Sequence, residues 1–210
     1  MYTGRATGHD PRKLTFVFSG QGPQWWAMGR ELLMNDSLFR SVIEKCDGLF
    51  RSHGASWSLM EELTASEDRS RMHVTAIAQP AIFALQVALA ELWRSWGIVP
   101  TAVVGHSVGE IAAAYVAGAL SLGDAAKVIF HRGRSMDLAS STGKMLGVSL
   151  TREDAEQFLR GYEDRVSIAA INSQTSVTLS GDPGALNAIA KRMDERSIFN
   201  TFLRVNYAFH

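Results

Sequence analysis

Ala102-Val103-Val104-Gly105-His106-Ser107-Val108-Gly109-Glu110-Ile111-Ala112-Ala113-Ala114 decides how the chain is read. The β-branched run predicts a short buried strand, and the alanine-rich run predicts a helix. Between them, Gly105-His106-Ser107-Val108-Gly109 fits the Gly-x-Ser-x-Gly pattern of a nucleophile elbow, in the strand–turn–helix context the motif requires. Glycines two positions either side of Ser107 let strand and helix approach closely. The hydroxyl is expected at the tip of a strained turn. The helix N-terminus behind it offers backbone N–H groups to an incoming anion. The alternative is a chance pentapeptide in a loop.

Composition bounds the setting. The chain has 210 residues, of which 46% are hydrophobic. That suits one large domain, or one domain with a smaller insert. Lys+Arg and Asp+Glu each number 21, so no basic field attracts nucleic acid or an anionic membrane. No apolar run is read as membrane-spanning, and Met1 to Lys13 is polar and unlike a signal sequence. A soluble cytoplasmic protein is expected. A single cysteine, Cys46, excludes an internal disulfide. Its neighbours Val42, Ile43, Leu49 and Phe50 predict a buried thiol.

Working outward, Leu14 to Phe18 alternates and predicts the first strand. It leads into a glycine-rich loop, Ser19 to Gln24. Trp25 to Leu33 and Ser37 to Phe50 predict helices, and residues 51–70 read as polar and irregular. Gln79-Pro80 opens a long amphipathic helix with proline in its first turn. Ile82, Leu85, Leu89, Leu92 and Trp96 mark its apolar face, and Gly97 and Pro100 end it. After the elbow helix, Gly118 breaks the pattern. A further helix runs from about Ser121 to Met136.

Composition shifts at Ser140 to Gly143. Beyond it the order is strand Lys144–Leu150, helix Arg152–Tyr162 with Thr151 as N-cap, and strands Val166–Ile171 and Thr175–Ser180. A helix from Asp182-Pro183 to about Arg196 and a strand Ile198–Val205 follow. This βαββαβ order is that of a ferredoxin-like unit inserted in a larger α/β domain.

A serine hydroxyl needs a base, usually histidine. Of six histidines, His106 adjoins Ser107, and the turn directs its ring elsewhere. His210 follows an apolar strand and an aromatic pair, a plausible way to deliver a base into a cleft. The oxyanion needs two donors. The Val108 N–H comes from the elbow, and the Gln21 N–H sits in the loop after the first strand. The plainer reading of Gly20-Gln21-Gly22 is an ordinary turn. Arg132 and Arg134 lie on the helix after the elbow helix. A guanidinium makes sense beside such a serine if the acyl group carries a carboxylate, which it matches bidentately. The competing reading is a solvated charge. Trp25 and Trp26 read as packing residues.

Six segments together resemble the malonyl-CoA:acyl carrier protein transacylase family, and more narrowly the acyltransferase domain of a type I polyketide synthase. They are Phe18 to Gly22, Thr75 to Ala81, Gly105 to Glu110, Gly118 to Ser121, His131 to Gly133 and Tyr207 to His210. The similarity runs in order from about residue 14 to the end. It implies Ser107 as nucleophile, His210 as general base and Arg132 as the anchor of a malonyl carboxylate. It also implies an oxyanion hole formed by the Gln21 and Val108 amides. The implied fold is an α/β-hydrolase-like large subdomain (14–139 and 206–210, after a tail 1–13) with a parallel sheet, carrying a ferredoxin-like subdomain (140–205). No intrinsic cofactor and no metal are expected. The implied substrates are an acyl-CoA and the phosphopantetheine thiol of an acyl carrier protein. Neighbouring synthase domains are further implied partners.

In that family a His-Ala-Phe-His segment goes with malonyl and Tyr-Ala-Ser-His with methylmalonyl. Tyr207-Ala208-Phe209-His210 is a hybrid of the two. Phe209 would crowd an α-methyl branch, and Val108 stands where methylmalonyl-type domains often have glutamine. The expectation is malonyl, with methylmalonyl as the alternative. Family members continue past the histidine with a group that orients it, so a longer parent protein is expected. Two other readings are a serine esterase or thioesterase using the same elbow, and an inactive docking unit.

Overall fold

Two runs of β-branched and aromatic residues, far apart in sequence, pair in parallel. β1 (Thr15–Phe18) lies beside β2 (Ala102–Gly105), in register from Thr15 opposite Ala102 to Phe18 opposite Gly105. The pairing is extended beyond the strands by the Thr101 N–H donating to the Leu14 carbonyl and the His106 N–H donating to that of Phe18. The computed structural model describes residues 13–138, 143–203 and 208–210. It divides into two units, Met1–Ser135 and Met136–His210, each with its own core.

A parallel pair needs a long crossover, and four helices supply it. These are α1 (Arg30–Asn35), α2 (Ser37–Ser52), α3 (Leu59–Thr64) and α4 (Thr75–Ser95). Asp36 caps α2, its Oδ1 accepting from the Phe39 N–H at 2.8 Å. α2 packs on α4, and Phe39, Phe50 and Phe83 are fully buried there. After β2 come α5 (Gly109–Val116) and α6 (Leu122–Leu138). α6 adds Ile129 and Phe130 to the same core. Cys46 is buried as expected, and desolvation pushes its thiol pKa up to about 12.

Several boundaries differ from the sequence reading. Trp25 to Ala27 form turns, and the helix begins only after Gly29, whose φ of 73° is a left-handed conformation incompatible with an earlier helical start. The polar stretch 51–70 is not irregular throughout. Ser58 caps α3, and its hydroxyl together with the Leu59 N–H engages buried Asp47 of α2. α4 starts a turn before Gln79, at Thr75, so Pro80 lies inside the helix rather than in its first turn. α4 is also long and apolar enough to cross a membrane, which the sequence reading did not recognise. Its apolar character has a different cause here: most of it is buried in the core of the first unit.

The second unit holds β3 (Lys144–Val148), α7 (Arg152–Phe158), β4 (Val166–Ser173), β5 (Ser176–Gly181), α8 (Pro183–Asp194) and β6 (Asn200–Phe202). The sheet order is β4-β5-β3-β6, all antiparallel. That is the ferredoxin-like arrangement of a βαββαβ chain. Thr151 caps α7 as its hydroxyl accepts from the Asp154 N–H at 3.1 Å, and Asp182 caps α8 with Pro183 in the first turn. The last strand starts at Asn200 rather than at 198, after a turn at Ser197 with φ 55°, and residues 204 and 205 of the expected strand lie outside the described residues. The division between the two units falls within α6, and Ala208 to His210 group with the second unit; most of the joint expected at 140–143 lies outside the described residues.

The approach of α5 to the two strands fixes the elbow. A β-carbon on Gly109 would overlap the Phe18 carbonyl, whereas one on Gly48, within α2, would meet nothing within 4 Å. Gly109→Ala should therefore cost about 1–3 kcal/mol through overpacking. Gly48→Ala should gain about 0.5–1 kcal/mol from helix propensity. All five tryptophans lie at or before Trp96, so denaturant midpoints followed by tryptophan fluorescence report on this unit. A second expectation concerns Cys46: at neutral pH it should resist thiol reagents in the native protein and react fully once denatured.

Candidate active site

Ser107 sits at the turn between β2 and α5 with φ 53°. For a residue with a β-carbon this left-handed conformation costs about 1–2 kcal/mol. The surrounding turn holds it there. The Gly109 N–H donates to the His106 carbonyl at 3.0 Å, and the Glu110 N–H donates to the Ser107 carbonyl at 3.0 Å. Gly105 and Gly109 both lack the β-carbon that would overlap neighbouring backbone. Val108 opens α5, its side chain fully buried and its backbone at the helix N-terminus. That end of a helix carries partial positive charge. The His106 imidazole turns toward the loop after β1, where it lies against Gly20.

α6 brings Arg132 to the serine. Arg132 Nη2 donates to Ser107 Oγ at 3.0 Å, and Nη1 donates to Gln79 Oε1 at 2.5 Å. The helix can come this close because its next residue is Gly133. A β-carbon there would stand 3.2 Å from the Thr75 carbonyl oxygen and 3.3 Å from Ala76 Cα, on the first turn of α4. Arg134, the other arginine considered, is exposed on α6 and lies over the Phe130 ring at 5.6 Å.

Gln21 is joined to the same cluster through its side chain. Gln79 Nε2 donates to Gln21 Oε1 at 3.0 Å, and Gln21 Nε2 donates to Thr75 Oγ1 at 3.3 Å. The loop carrying Gln21 is further held by Gln86, whose Nε2 donates to the Ser19 carbonyl at 2.8 Å. Ser107, Val108, Gln21 and Arg132 thus belong to the first unit, and the side chains of Ser107, Arg132 and Gln21 are linked through Gln79. Phe209 and His210 belong to the second unit. There they line a cleft of about 350 Å³ with Glu163 to Ser167, Ser180, Gly181 and Ala208. Tyr207 lies outside the described residues.

Gln79 and Thr75 are the site residues that sequence reasoning quoted only as part of a motif. The signal was present: a glutamine in the apolar run Ala76-Ile77-Ala78-Gln79-Pro80-Ala81-Ile82. It is 1% exposed, and a buried amide needs partners for both ends. Among the described residues no group of three or more metal-ligating side chains occurs.

A hydroxyl presented on a strained turn, a helix N-terminus behind it and a guanidinium against it suit nucleophilic attack on an acyl group bearing a negative charge. Comparisons with known proteins place the chain among acyltransferase domains. The chain is 42% identical over 205 residues to the hybrid PKS-NRPS synthetase pynA of Aspergillus niger, covering 94% of this chain and 5% of that protein. The acyltransferase domain from module 8 of the salinomycin polyketide synthase superposes with a TM-score of 0.88 at 38% identity. That match covers 93% of this chain and 46% of the solved one. The malonyl CoA-acyl carrier protein transacylase from Clostridium perfringens gives a TM-score of 0.84 at 25% identity, over 95% of this chain and 63% of that one. Residues 15–210 match the acyl transferase domain family. With the strand–elbow–helix unit and the small antiparallel sheet in place, the chain belongs to that family.

Proposed function

We propose that this chain loads a malonyl-type acyl group from an acyl-CoA onto Ser107 and passes it to the phosphopantetheine thiol of an acyl carrier protein, as part of a polyketide synthase. One observation carries the reading: Arg132 Nη2 lies 3.0 Å from Ser107 Oγ. A guanidinium at that distance binds the free carboxylate of a dicarboxylic half-thioester while the thioester carbonyl meets the hydroxyl. Its fork geometry suits a carboxylate, and a fixed anchor converts binding into orientation.

The reaction proceeds in two half-reactions. Ser107 Oγ attacks the thioester carbonyl, and His210 takes the hydroxyl proton. The backbone N–H groups of Val108 and Gln21 hold the resulting oxyanion. Collapse breaks the C–S bond, and His210 returns the proton to the departing CoA sulfur, leaving an ester on Ser107. The carrier-protein thiol then attacks that ester, giving its proton to His210. The second collapse returns that proton to Ser107 Oγ. No cofactor enters these steps. The roles of His210 and the two amides rest on the motif resemblance. Support for a carrier-protein acceptor comes from the name of one similar protein, the malonyl CoA-acyl carrier protein transacylase from Clostridium perfringens.

Malonyl is favoured over methylmalonyl. By the motif resemblance, Phe209 stands where an α-methyl branch would need room, and the apolar Val108 where methylmalonyl-type domains often have glutamine. One methyl in a pocket is worth about 1–3 kcal/mol, so the preference is expected to be about 10–200-fold.

Intact mass after incubation with malonyl-CoA should show a malonyl adduct that persists without carrier protein and leaves when carrier protein is added. Rapid release of free malonate would instead identify a hydrolase. Ser107→Ala should abolish the adduct. Arg132→Ala should reduce malonyl loading about 10–150-fold, the scale of a hydrogen bond to a charged group. Acetyl loading should hold or rise in that variant, and unchanged malonyl loading would remove Arg132 from the assigned role.

A further inference from the structure

Gln79 stands at the junction of the cluster, and its two ends are not interchangeable. Arginine has donors only, so the atom facing Arg132 Nη1 at 2.5 Å is Gln79 Oε1. Gln79 Nε2 must then face Gln21, whose Oε1 accepts it at 3.0 Å. That leaves Gln21 Nε2 to donate to Thr75 Oγ1 at 3.3 Å. The donor-only guanidinium of Arg132 therefore sets the direction of both glutamine amides, Gln79 and Gln21. Thr75 and Gln79 are four residues apart on α4, on one face of the helix, and together they grip the Gln21 side chain. α4 thus holds both the arginine and the loop that follows β1.

Burial sharpens the point. Gln79 is 1% exposed and Thr75 2% exposed. The neighbouring contact at Gly133 keeps α6 within reach of this turn of α4. Such a buried, directional bridge restricts guanidinium rotation before any ligand arrives.

We infer that Gln79 is a positioning residue that holds Arg132 for carboxylate recognition and couples it to the Gln21 loop. The inference deepens the proposed acyltransferase reading and rests on it for the substrate. Gln79 touches no reacting atom in this scheme. It acts through Arg132, by keeping Nη2 directed at Ser107, and through Gln21, by fixing the loop whose backbone amide is assigned to the oxyanion. Replacing it should therefore alter discrimination between charged and uncharged acyl groups, rather than lower all loading equally.

The test compares Gln79→Leu and Gln79→Glu with the unaltered full chain. Gln79→Leu keeps the size and removes the hydrogen bonds to Arg132 and Gln21. The ratio of malonyl to acetyl kcat/KM should fall about tenfold or more, chiefly through KM for malonyl-CoA, on the scale of losing a hydrogen bond to a charged group. Gln79→Glu accepts from Arg132 but neutralises it and cannot donate to Gln21, so the same ratio should fall further. Slowed rotation of the Arg132 guanidinium, read by side-chain 15N NMR and assigned with Arg132→Lys, should be present in the unaltered protein and lost in Gln79→Leu. An equally slowed guanidinium in Gln79→Leu overturns the inference. So does a malonyl-to-acetyl ratio that stays constant while both activities fall together with Tm. If the unaltered chain takes no malonyl group, the acyltransferase reading fails by itself, and the NMR comparison still decides whether Gln79 positions Arg132.

Discussion

The structure depends on how closely α5 is allowed to approach the ends of β1 and β2. Two glycines that bracket Ser107 have no β-carbon to overlap the backbone of Phe18 and Glu110. With the helix that near, the turn has one short route, and Ser107 is left at φ 53°. The strain is local. It is held by the ladder of backbone hydrogen bonds running from the Phe18 carbonyl through His106 into the helix. The serine is presented because everything around it is too tightly packed for any other path.

A second close approach places the arginine. Gly133 lets α6 lie against the first turn of α4, and this brings Arg132 within reach of both Gln79 and Ser107. The contact explains why a helix otherwise filled with alanine, isoleucine and phenylalanine begins with Thr75 and Gln79. Buried polar groups are costly unless bonded at both ends. In this cluster each amide is matched, with its direction set by a guanidinium that can only donate.

The sequence was legible where local physics and packing agree. The elbow, the cap at Thr151, the proline start of α8 and the βαββαβ order all express short-range rules, and the structure contains each of them. It was less legible where a tertiary contact overrides local tendency. Ser58 starts a helix in a polar stretch because Asp47, on another helix, accepts the Leu59 N–H. Trp25 to Ala27 fail to begin a helix because Gly29 turns the chain left-handed. α4 begins before its proline, and its apolar circumference reflects burial on several sides.

By itself, the sequence determined that a serine would stand on a strand–turn–helix elbow and that a small α+β unit would follow; the base and the carboxylate anchor were implied only by the motif resemblance. The elbow and the small unit follow from spacing, because glycine positions and hydrophobic period act over a few residues. The tertiary structure brings Arg132, which the motif resemblance implied, against Ser107, and it alone shows that Gln79 and Thr75 link it to Gln21. Those partners lie tens of residues apart in the chain. They come together because α6, with no β-carbon at Gly133, packs closely enough on the first turn of α4 for side chains to bond across the contact.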